Sequence, residues 1–469
     1  MIAALLIASA APLHAESPAE ILERGVFQQE TRNDPAAALK IYQEVLDRES
    51  QSRELSSEAR YRMAMCLIAL GEEAKGHEQL EALAHDTAAD KQWAGKAAAG
   101  LAKTQFIHPA PWKPGEIAIY RILGPGNQDM GFMMAAVKET TVDGESRWAS
   151  YFIRAGAQWG ISCSIFSKET FEPVSSRLFM DGFGDFLTEH SGGGAVVVKN
   201  FDGSDVQWQR KAGESTLPLY DNDQAVQLLR LLPQTIGTKV QSEIAICFSP
   251  KPLPFTMEVT AEKTVQTDAG SFDCVEIVTN IGQNFWISRD PSRRMIKMKV
   301  GLASIEASKF LDWNPDKPTE YTASKNGVHI VFPAGVLWGP PIEKEKSLRL
   351  YVYPTDFSAF GGILDIKKTA DLPETVRTSS QALARADLAE DVKLFEESEI
   401  VREGEFDLPG WKVWKSFTHE RRGKVNSFTF HIHAVGPEKS ISFNIAYPKG
   451  GEDAVEKLAT AIVEGITLK

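Results

Sequence analysis

The pattern of apolar and polar positions changes twice along the chain. From 16 to about 105, Ala, Leu, Glu, Gln and Lys dominate without a β-branched run, which favours helices. From Trp112 to about 312, short runs alternate apolar and polar residues between turn signals such as Asp143-Gly144, which is typical of antiparallel strands. One helix, 222–232, is predicted to interrupt them before a proline.

The third part of the chain, 320–469, mixes strands with helices predicted at 378–395 and 453–466. A chain of 469 residues is also too long for one ordinary core. We therefore predict a multidomain α + β protein. Its parts are helical repeats at 16–105, a proline-rich linker at 106–115, a central antiparallel β-rich domain at 116–312, and a C-terminal α+β sheet domain at 320–469.

The first fifteen residues predict a signal peptide. Residues 2–12 are almost wholly apolar, and Leu13-His14-Ala15 resembles a small-residue cleavage site. The segment is too short for a membrane-spanning helix, which needs about 20 apolar residues. No later stretch is apolar enough, so we expect a periplasmic or secreted protein without a transmembrane segment.

The helical part contains an internal repeat at an offset of 38 residues. Ala38 and Tyr42 in one copy align with Gly76 and Leu80 in the other. Each pair places a small residue where two helices approach, and a large residue four positions later. Asp34, followed by a proline, predicts a capped helix start.

Residues 59–71 carry small, large and turn-glycine positions that resemble the tetratricopeptide repeat. The resemblance covers about two repeats and a capping helix, and it implies a concave face that binds a peptide or packs against the next domain. Segment 16–104 holds 16 acidic and 11 basic residues, net −5, so a basic ligand is expected. By repeat phase, the candidate lining residues are Glu58, Tyr61, Met65 and Ile68.

The central domain resembles a periplasmic family of unknown function whose fold is related to lipoprotein carriers. The resemblance is carried by a tight hairpin at 267–274 and by Phe285-Trp286-Ile287-Ser288. It implies a curved sheet with a helix, which either has a filled core or encloses an apolar groove of at least ~300 Å³ for a lipid-like ligand. The candidate groove residues are Phe132, Trp148, Phe152, Trp159 and Phe285.

The C-terminal region resembles the PsbP-like fold in the order of its elements. An early strand ends in Phe332-Pro333, and a long helix, a central hairpin and a last helix follow. The resemblance covers about 140 residues and implies a binding and assembly module.

Charge and motifs argue against several classes of function. The net charge of −12 disfavours nucleic acid, whose phosphates need a basic face. The sequence has no phosphate-binding glycine loop, no nucleophile elbow and no H-E-x-x-H motif. His190-Ser191 is better explained as a polar loop than as a nucleophile pair. We therefore predict no catalytic residues and no cofactor.

Three histidines invite comparison with a zinc site. His431 and His433 share one strand face, and His419 lies on the preceding strand. Three imidazoles suit Zn²⁺ with an open position. By alternation, however, Trp411, Val413 and Phe417 share the face of His419, which indicates a packed sheet, so we predict structural or solvent-facing histidines and no metal.

The four cysteines form no C-x-x-C motif. Cys66 falls on a helical apolar face and is expected to be a buried thiol. If 239–247, 255–265 and 272–280 form a meander, Cys274 lies beside residue 263. Its sulfur is then about 20 Å or more from Cys247, since strands rise ~3.3 Å per residue. That separation is too large for a disulfide.

Taken together, the sequence predicts an exported, non-enzymatic binding or scaffold protein with a protein or peptide partner. The alternative is a hydrolase of a cell-envelope polymer, which requires two carboxylates about 5–10 Å apart in an open cleft.

Overall fold

The computed structural model describes residues 16–48, 52–70, 72–84, 86–97, 106–107, 109–156, 159–201, 205–215, 217–391, 393, 395–408, 411–422 and 425–468. The predicted signal peptide, 1–15, and the end of the capping helix, 98–104, lie outside these residues. The chain forms two compact units. The first is Met1–Gln105 with Gly192–Gly194 and Lys211–Pro218, and the second is the remainder.

The first unit is built from helices. They are α1 (Pro18–Val26), α2 (Pro35–Leu46), α3 (Arg53–Ala69) and α4 (Glu73–Ala84), followed by a helical stretch at 91–97. The predicted cap of α2 is confirmed, because Asp34 Oδ1 accepts from the Ala37 N–H at 2.9 Å. Ser17 and Glu20 form a capping box at the start of α1.

Small residues set the distance between these helices. A Cβ atom added to Gly76 would lie 2.5 Å from Ile68 Cγ1, and one added to Gly25 would lie 2.5 Å from Tyr42 Cε1. Ala38 and Tyr42 are completely buried, as is Leu80 in the second copy. The small residues of the repeat therefore allow close approach of the helices, and the large residues are buried, as their spacing predicts.

The second unit contains the strands. The first fifteen are β1 (Glu116–Leu123), β2 (Asp129–Val142), β3 (Glu145–Gly156), β4 (Gly160–Ser167), β5 (Pro173–Met180), β6 (Gly184–Ser191), β7 (Ala195–Asn200), β8 (Val206–Arg210), β9 (Leu219–Asp221), β10 (Lys239–Ala245), β11 (Leu253–Thr267), β12 (Gly270–Thr279), β13 (Gln283–Ser288), β14 (Met295–Val300) and β15 (Ala303–Asp312). They form one sheet in the order β8 through β1, then β15 through β9.

Neighbouring strands in this sheet are antiparallel except for β9 and β10. The predicted meander of β10, β11 and β12 is confirmed, and its register places Cys274 opposite Lys263. A short helix, α5 (Ala225–Leu231), lies on one face of the sheet. Gln227 of α5 donates from Nε2 to Ser150 Oγ on β3 at 3.1 Å.

The sheet curls so that its two arms approach each other. Ser176 on β5 donates to Asp221 Oδ2 at the end of β9, at 2.6 Å. Arg210 on β8 pairs with Glu243 on β10 at 2.5 Å. Among the described residues no pairing joins the end strands β8 and β9, so side chains close this seam.

The C-terminal region adds two further sheets. Its strands are β16 (Thr319–Ala323), β17 (Val328–Phe332), β18 (Val336–Trp338), β19 (Ile342–Lys344), β20 (Ser347–Pro354), β21 (Gly361–Lys368), β22 (Glu397–Leu408), β23 (Trp411–Arg422), β24 (Val425–Val435), β25 (Lys439–Tyr447) and β26 (Ile466–Leu468). An eight-stranded sheet runs β18-β20-β21-β25-β24-β23-β22 with β19 beside β20, and β16, β17 and β26 form the other sheet.

Two helices pack on the eight-stranded sheet. Helix α7 (Glu452–Glu464) contributes Val455 and Ile462 to the apolar core on one face. Helix α6 (Ser380–Asp391) packs on β23 and β24, where the facing side chains include His431 and His433. The predicted helices and the hairpin of β23 and β24 are thus present, with α6 shorter than expected.

The large curled sheet and the C-terminal region share a core. The rings of Phe179 and Phe360 stack with centroids 3.9 Å apart. The Tyr151 hydroxyl donates to the Thr355 carbonyl at 3.0 Å. Because residues from both predicted domains are buried in one apolar cluster, these two regions form one compact unit.

Candidate functional sites

Three of the four predicted peptide-binding residues help to build the repeat itself. Tyr61, Met65 and Ile68 are partly buried and pack against the apolar cluster that holds Leu80. The ring of Tyr61 also contacts Trp93, with centroids 5.5 Å apart. These side chains therefore offer only part of their surface to a partner, and peptide binding by them stays a prediction.

The fourth residue, Glu58, belongs to a row of charges on the helices. Its Oε1 accepts from Arg62 Nε at 2.7 Å, and Arg62 Nη1 reaches Glu30 Oε1 at 2.8 Å. Arg62 lies near the face of Trp93, and Lys96 Nζ is 3.6 Å from the same ring centroid. Two carboxylates thus share one guanidinium, which leaves the row with an acidic surplus.

The five predicted groove residues lie on both faces of the curled sheet. Trp148, Phe152 and Phe285 lie on the face that carries α5. Phe132 and Trp159 lie on the other face, in the core shared with the C-terminal region. Trp148 packs edge-on against Trp112, and Phe132 packs edge-on against Tyr351.

A small cavity with a mixed polar and apolar lining lies beneath α5. Its volume is about 10 Å³, and its lining includes Glu116, Gln227, Arg230 and Arg294. Arg230 Nη1 pairs with Glu116 Oε1 at 2.7 Å, and both side chains are buried. A space of this size has room for about one water molecule and is too small for an acyl chain.

The three histidines considered for zinc do not converge. His431 and His433 are buried on the α6 face of the sheet, whereas the ring of His419 stacks on Phe428 on the opposite face, 4.8 Å between centroids. Among the described residues, no group of three His, Cys, Asp or Glu side chains is placed to hold a metal ion. The strand register explains this separation. His419 pairs with Phe428, whereas His431 pairs with Ser416, and successive residues of a strand point to opposite faces of the sheet.

His433 and His431 instead form hydrogen bonds with separate sets of polar side chains under α6. Asp387 Oδ2 lies 3.1 Å from His433 Nε2 and accepts from Ser442 Oγ at 2.9 Å. Burial raises the pKa of Asp387, but the hydrogen bond and charge of His433 outweigh it and hold that pKa below its usual value. Burial, reinforced by His433, lowers the pKa of His431 to about 3.

A second buried cluster lies at the seam of the curled sheet. His190 Nε2 and Ser176 Oγ both bond Asp221 Oδ2, at 3.1 and 2.6 Å. Burial, reinforced by Asp221, raises the pKa of the neighbouring Asp223 to about 7. Sequence reasoning missed this cluster because it considered His190 only with the adjacent Ser191, and nothing in the local pattern points to Asp221.

Neither histidine cluster has the order of a catalytic relay. In such a relay the imidazole lies between the serine and the carboxylate, and it takes the proton of the nucleophile. Here Ser176 and Ser442 each donate to the aspartate, and the imidazole is a second partner of the same oxygen. Both arrangements hold packed elements together.

The four cysteines are free and buried, as expected for Cys66 and for the pair Cys247 and Cys274. Burial raises the pKa of the Cys66 thiol to about 11. At neutral pH this thiol is protonated and therefore a poor nucleophile.

Comparison with known proteins identifies one region. The tetratricopeptide-repeat family model matches residues 31–100, which confirms the repeat in that segment. No curated protein matches the sequence. None of the helices within the described residues is long and apolar enough to cross a membrane.

Similarity to solved structures is weak. The PsbP protein (CyanoP) of Synechocystis aligns with 33% of this chain and 95% of its own, at 11% identity and a TM-score of 0.27. The Ran-binding protein Mog1p of Saccharomyces cerevisiae covers 32% and 95%, at 11% identity and a TM-score of 0.24. MucB covers 77% and 94%, at 6% identity and a TM-score of 0.19. Scores this low carry no argument about function.

Proposed function

We propose that this protein is an exported, non-enzymatic scaffold of the cell envelope that uses its repeat helices to bind a protein partner. The match of the tetratricopeptide-repeat model to residues 31–100 carries this proposal, because such repeats support protein–protein contacts. Export rests on the apolar start of the sequence, which is followed by Leu13-His14-Ala15, a segment that resembles a small-residue cleavage site.

The charges of the repeat segment define the chemistry of the partner. The 16–104 segment has a net charge of −5, and the Glu30–Arg62–Glu58 row has one more carboxylate than guanidinium. Opposite charge speeds encounter and disfavours acidic competitors. The partner is therefore a segment rich in Lys or Arg.

The second unit acts in this proposal as a rigid support rather than as a carrier. The candidate groove residues lie on the face that carries α5 or in the core shared with the C-terminal region, and the space beneath α5 is small. A lipid-like ligand remains the finer prediction for the curled sheet. Native mass spectrometry of the protein purified from its own envelope tests it, and a co-purifying acyl lipid would favour the carrier version.

The partner proposal is tested with the full chain and a library of immobilised peptides of graded charge. We expect basic peptides to bind, and the variant Glu58→Lys to weaken that binding about tenfold by reversing one charge in the row. Glu81→Lys, an exposed reversal on α4 outside the row, is the matched control. Equal binding of both variants, or a preference for acidic peptides, would contradict the proposal.

The absence of enzymatic activity is part of the same proposal. Neither serine–histidine–aspartate cluster has relay geometry. Asp221 and Asp223 are neighbouring carboxylates, and the pKa of Asp223 is raised to about 7, but Asp221 is buried at the seam and does not line the open cleft that the hydrolase alternative requires. The purified chain is expected to leave envelope glycans and model esters unchanged over hours. Turnover that disappears on heating the sample would overturn this part of the proposal.

A further inference from the structure

Large apolar side chains are exposed at several turns of the curled sheet, among them the turns that join β10 to β11, β12 to β13 and β14 to β15. Leu302, between β14 and β15, is 82% exposed, and Phe248, between β10 and β11, is 53% exposed. Ile281, between β12 and β13, and Val300 are also exposed. We call residues 246–253, 280–282 and 299–303 the three apolar turns.

These turns lie at the same end of the sheet. Gln283, just after the second turn, pairs with Val300 at the start of the third. Asn280 in the second turn bonds the backbone of Thr256, which follows the first. Successive turns are two strands apart, or roughly 10 Å, because neighbouring strands lie about 4.8 Å apart. The ring of Phe183, from another turn of the sheet, reaches Phe248 with centroids 6.0 Å apart.

The charges within the three apolar turns are all positive, whereas the adjoining turn that carries Phe183 is flanked by Asp181 and Asp185. Lys251 and Lys299 are exposed, and neither forms an ion pair within the described residues. The three segments contain no Asp or Glu, although the whole chain has a net charge of −12. At the opposite end of β11 and β13, Arg289 pairs with Glu262.

We propose that the three apolar turns dock the protein on an anionic lipid surface. Exposed Leu and Phe side chains enter the boundary between headgroups and acyl chains, and lysines beside them are attracted to anionic headgroups. Apolar tips on separate turns do not form one continuous patch of the kind that a protein interface buries. A fluid bilayer accommodates each tip separately. This surface is independent of the repeat helices, so it does not depend on the proposed partner.

The test uses the full chain and vesicles of phosphatidylcholine, with or without 30 mol% phosphatidylglycerol, in a flotation assay. We expect binding to the anionic vesicles only, with a loss of affinity as salt rises. Lys251→Glu and Lys299→Glu should each weaken binding at least fivefold, which corresponds to the ~1 kcal/mol that one lysine contributes near such a surface. Phe248→Ser and Leu302→Ser should each weaken it about tenfold.

Matched controls are Val401→Ser, an exposed apolar residue on β22, and Lys317→Glu, an exposed lysine outside the turns. All these positions are exposed, so circular dichroism should show unchanged folding. Failure of the unmodified chain to float with anionic vesicles overturns the proposal, as does equal loss in the control variants. Concentration-dependent dimers that disappear in Leu302→Ser would also overturn it, because the turns would then contact a second copy.

Discussion

At the scale of single residues, close approach between helices is controlled by glycine and alanine. Gly76 lies where α4 crosses α3, and its missing side chain is replaced by Ile68 and by the Ala64 carbonyl. The repeat offset predicted this position because a small residue recurs before a large one. Gly95 has the same residue type in the 91–97 helical stretch, but no neighbouring atom lies within 4 Å of its added Cβ.

Gly76→Ala and Gly95→Ala should therefore shift stability in opposite directions. The first gains up to ~1 kcal/mol of helix propensity but loses about 1–3 kcal/mol through overpacking. The second should be stabilising by up to ~1 kcal/mol. Urea unfolding followed by circular dichroism at 222 nm measures both. Stabilisation by Gly76→Ala would show that α3 and α4 are less closely packed than described.

The buried His431 predicts a pH dependence of stability. Its pKa is about 3 in the folded chain and ~6.5 in the unfolded chain, so folding favours the neutral ring. Its stabilising effect is complete above pH ~6.5 and falls as the pH decreases toward 3, by at most ~1.4 kcal/mol per pH unit. His431→Asn should flatten this slope in urea unfolding, whereas His419→Asn, at a half-buried position on the opposite face of the sheet, should retain it. Parallel pH profiles for His431→Asn and the unmodified chain would contradict the assignment.

At the scale of elements, the sequence predicted what local patterns determine. The β10–β12 meander and its register follow from alternation and from the turn glycine Gly270, whose φ is 131°. Helix α6 shows where prediction from local patterns ends. The helix itself was predicted, but its polar contact with the eight-stranded sheet was not. That contact joins Asp387 to His433 across 46 residues, and no local period contains such a pairing.

Ser380 ties α6 to the sheet and predicts the strength of that contact. Its hydroxyl donates to the Lys412 carbonyl at 2.6 Å and accepts from the Val435 N–H at 3.0 Å. Ser380→Ala should cost about 1–3 kcal/mol by leaving these groups unpaired, and it should speed proteolysis near 393. Ser379→Ala removes an exposed bond to the Ala382 N–H and should cost only ~1 kcal/mol. Equal proteolysis of the two variants would mean that Ser380 does not hold the helix.

At the scale of the whole molecule, the curled sheet depends on the C-terminal region. The sequence predicted separate domains at 116–312 and 320–469. Alternation along the strands indicates which residues of each sheet are apolar, but it does not show which other part of the chain packs against them. One face of the curled sheet carries α5, and the other face packs against residues such as Tyr353 and Phe360. Contacts between segments more than 150 residues apart depend on how the folded sheets pack. Composition does not reveal them.

A chain ending at residue 312 should therefore fold poorly. It would expose Met134, Ile153 and Phe179, which are now buried against the C-terminal region. We expect it to aggregate or to bind a hydrophobic dye strongly. A chain starting at residue 106 keeps that shared core, so it should remain compact. A monomeric, dye-free fragment ending at residue 312 would restore the picture of two independent domains.

The seam of the curled sheet has a mechanical consequence. Its arms are joined by hydrogen bonds from Ser176 and His190 to Asp221 and by the Arg210–Glu243 ion pair, beside a buried apolar cluster with residues from both arms, while no backbone pairing crosses the seam within the described residues. The seam can open without the loss of any backbone pairing between neighbouring strands. Opening of the seam and unfolding of the strands of the curled sheet are then separate events. Asp221→Ala should let a spin label on each arm move apart while backbone amides stay protected from exchange.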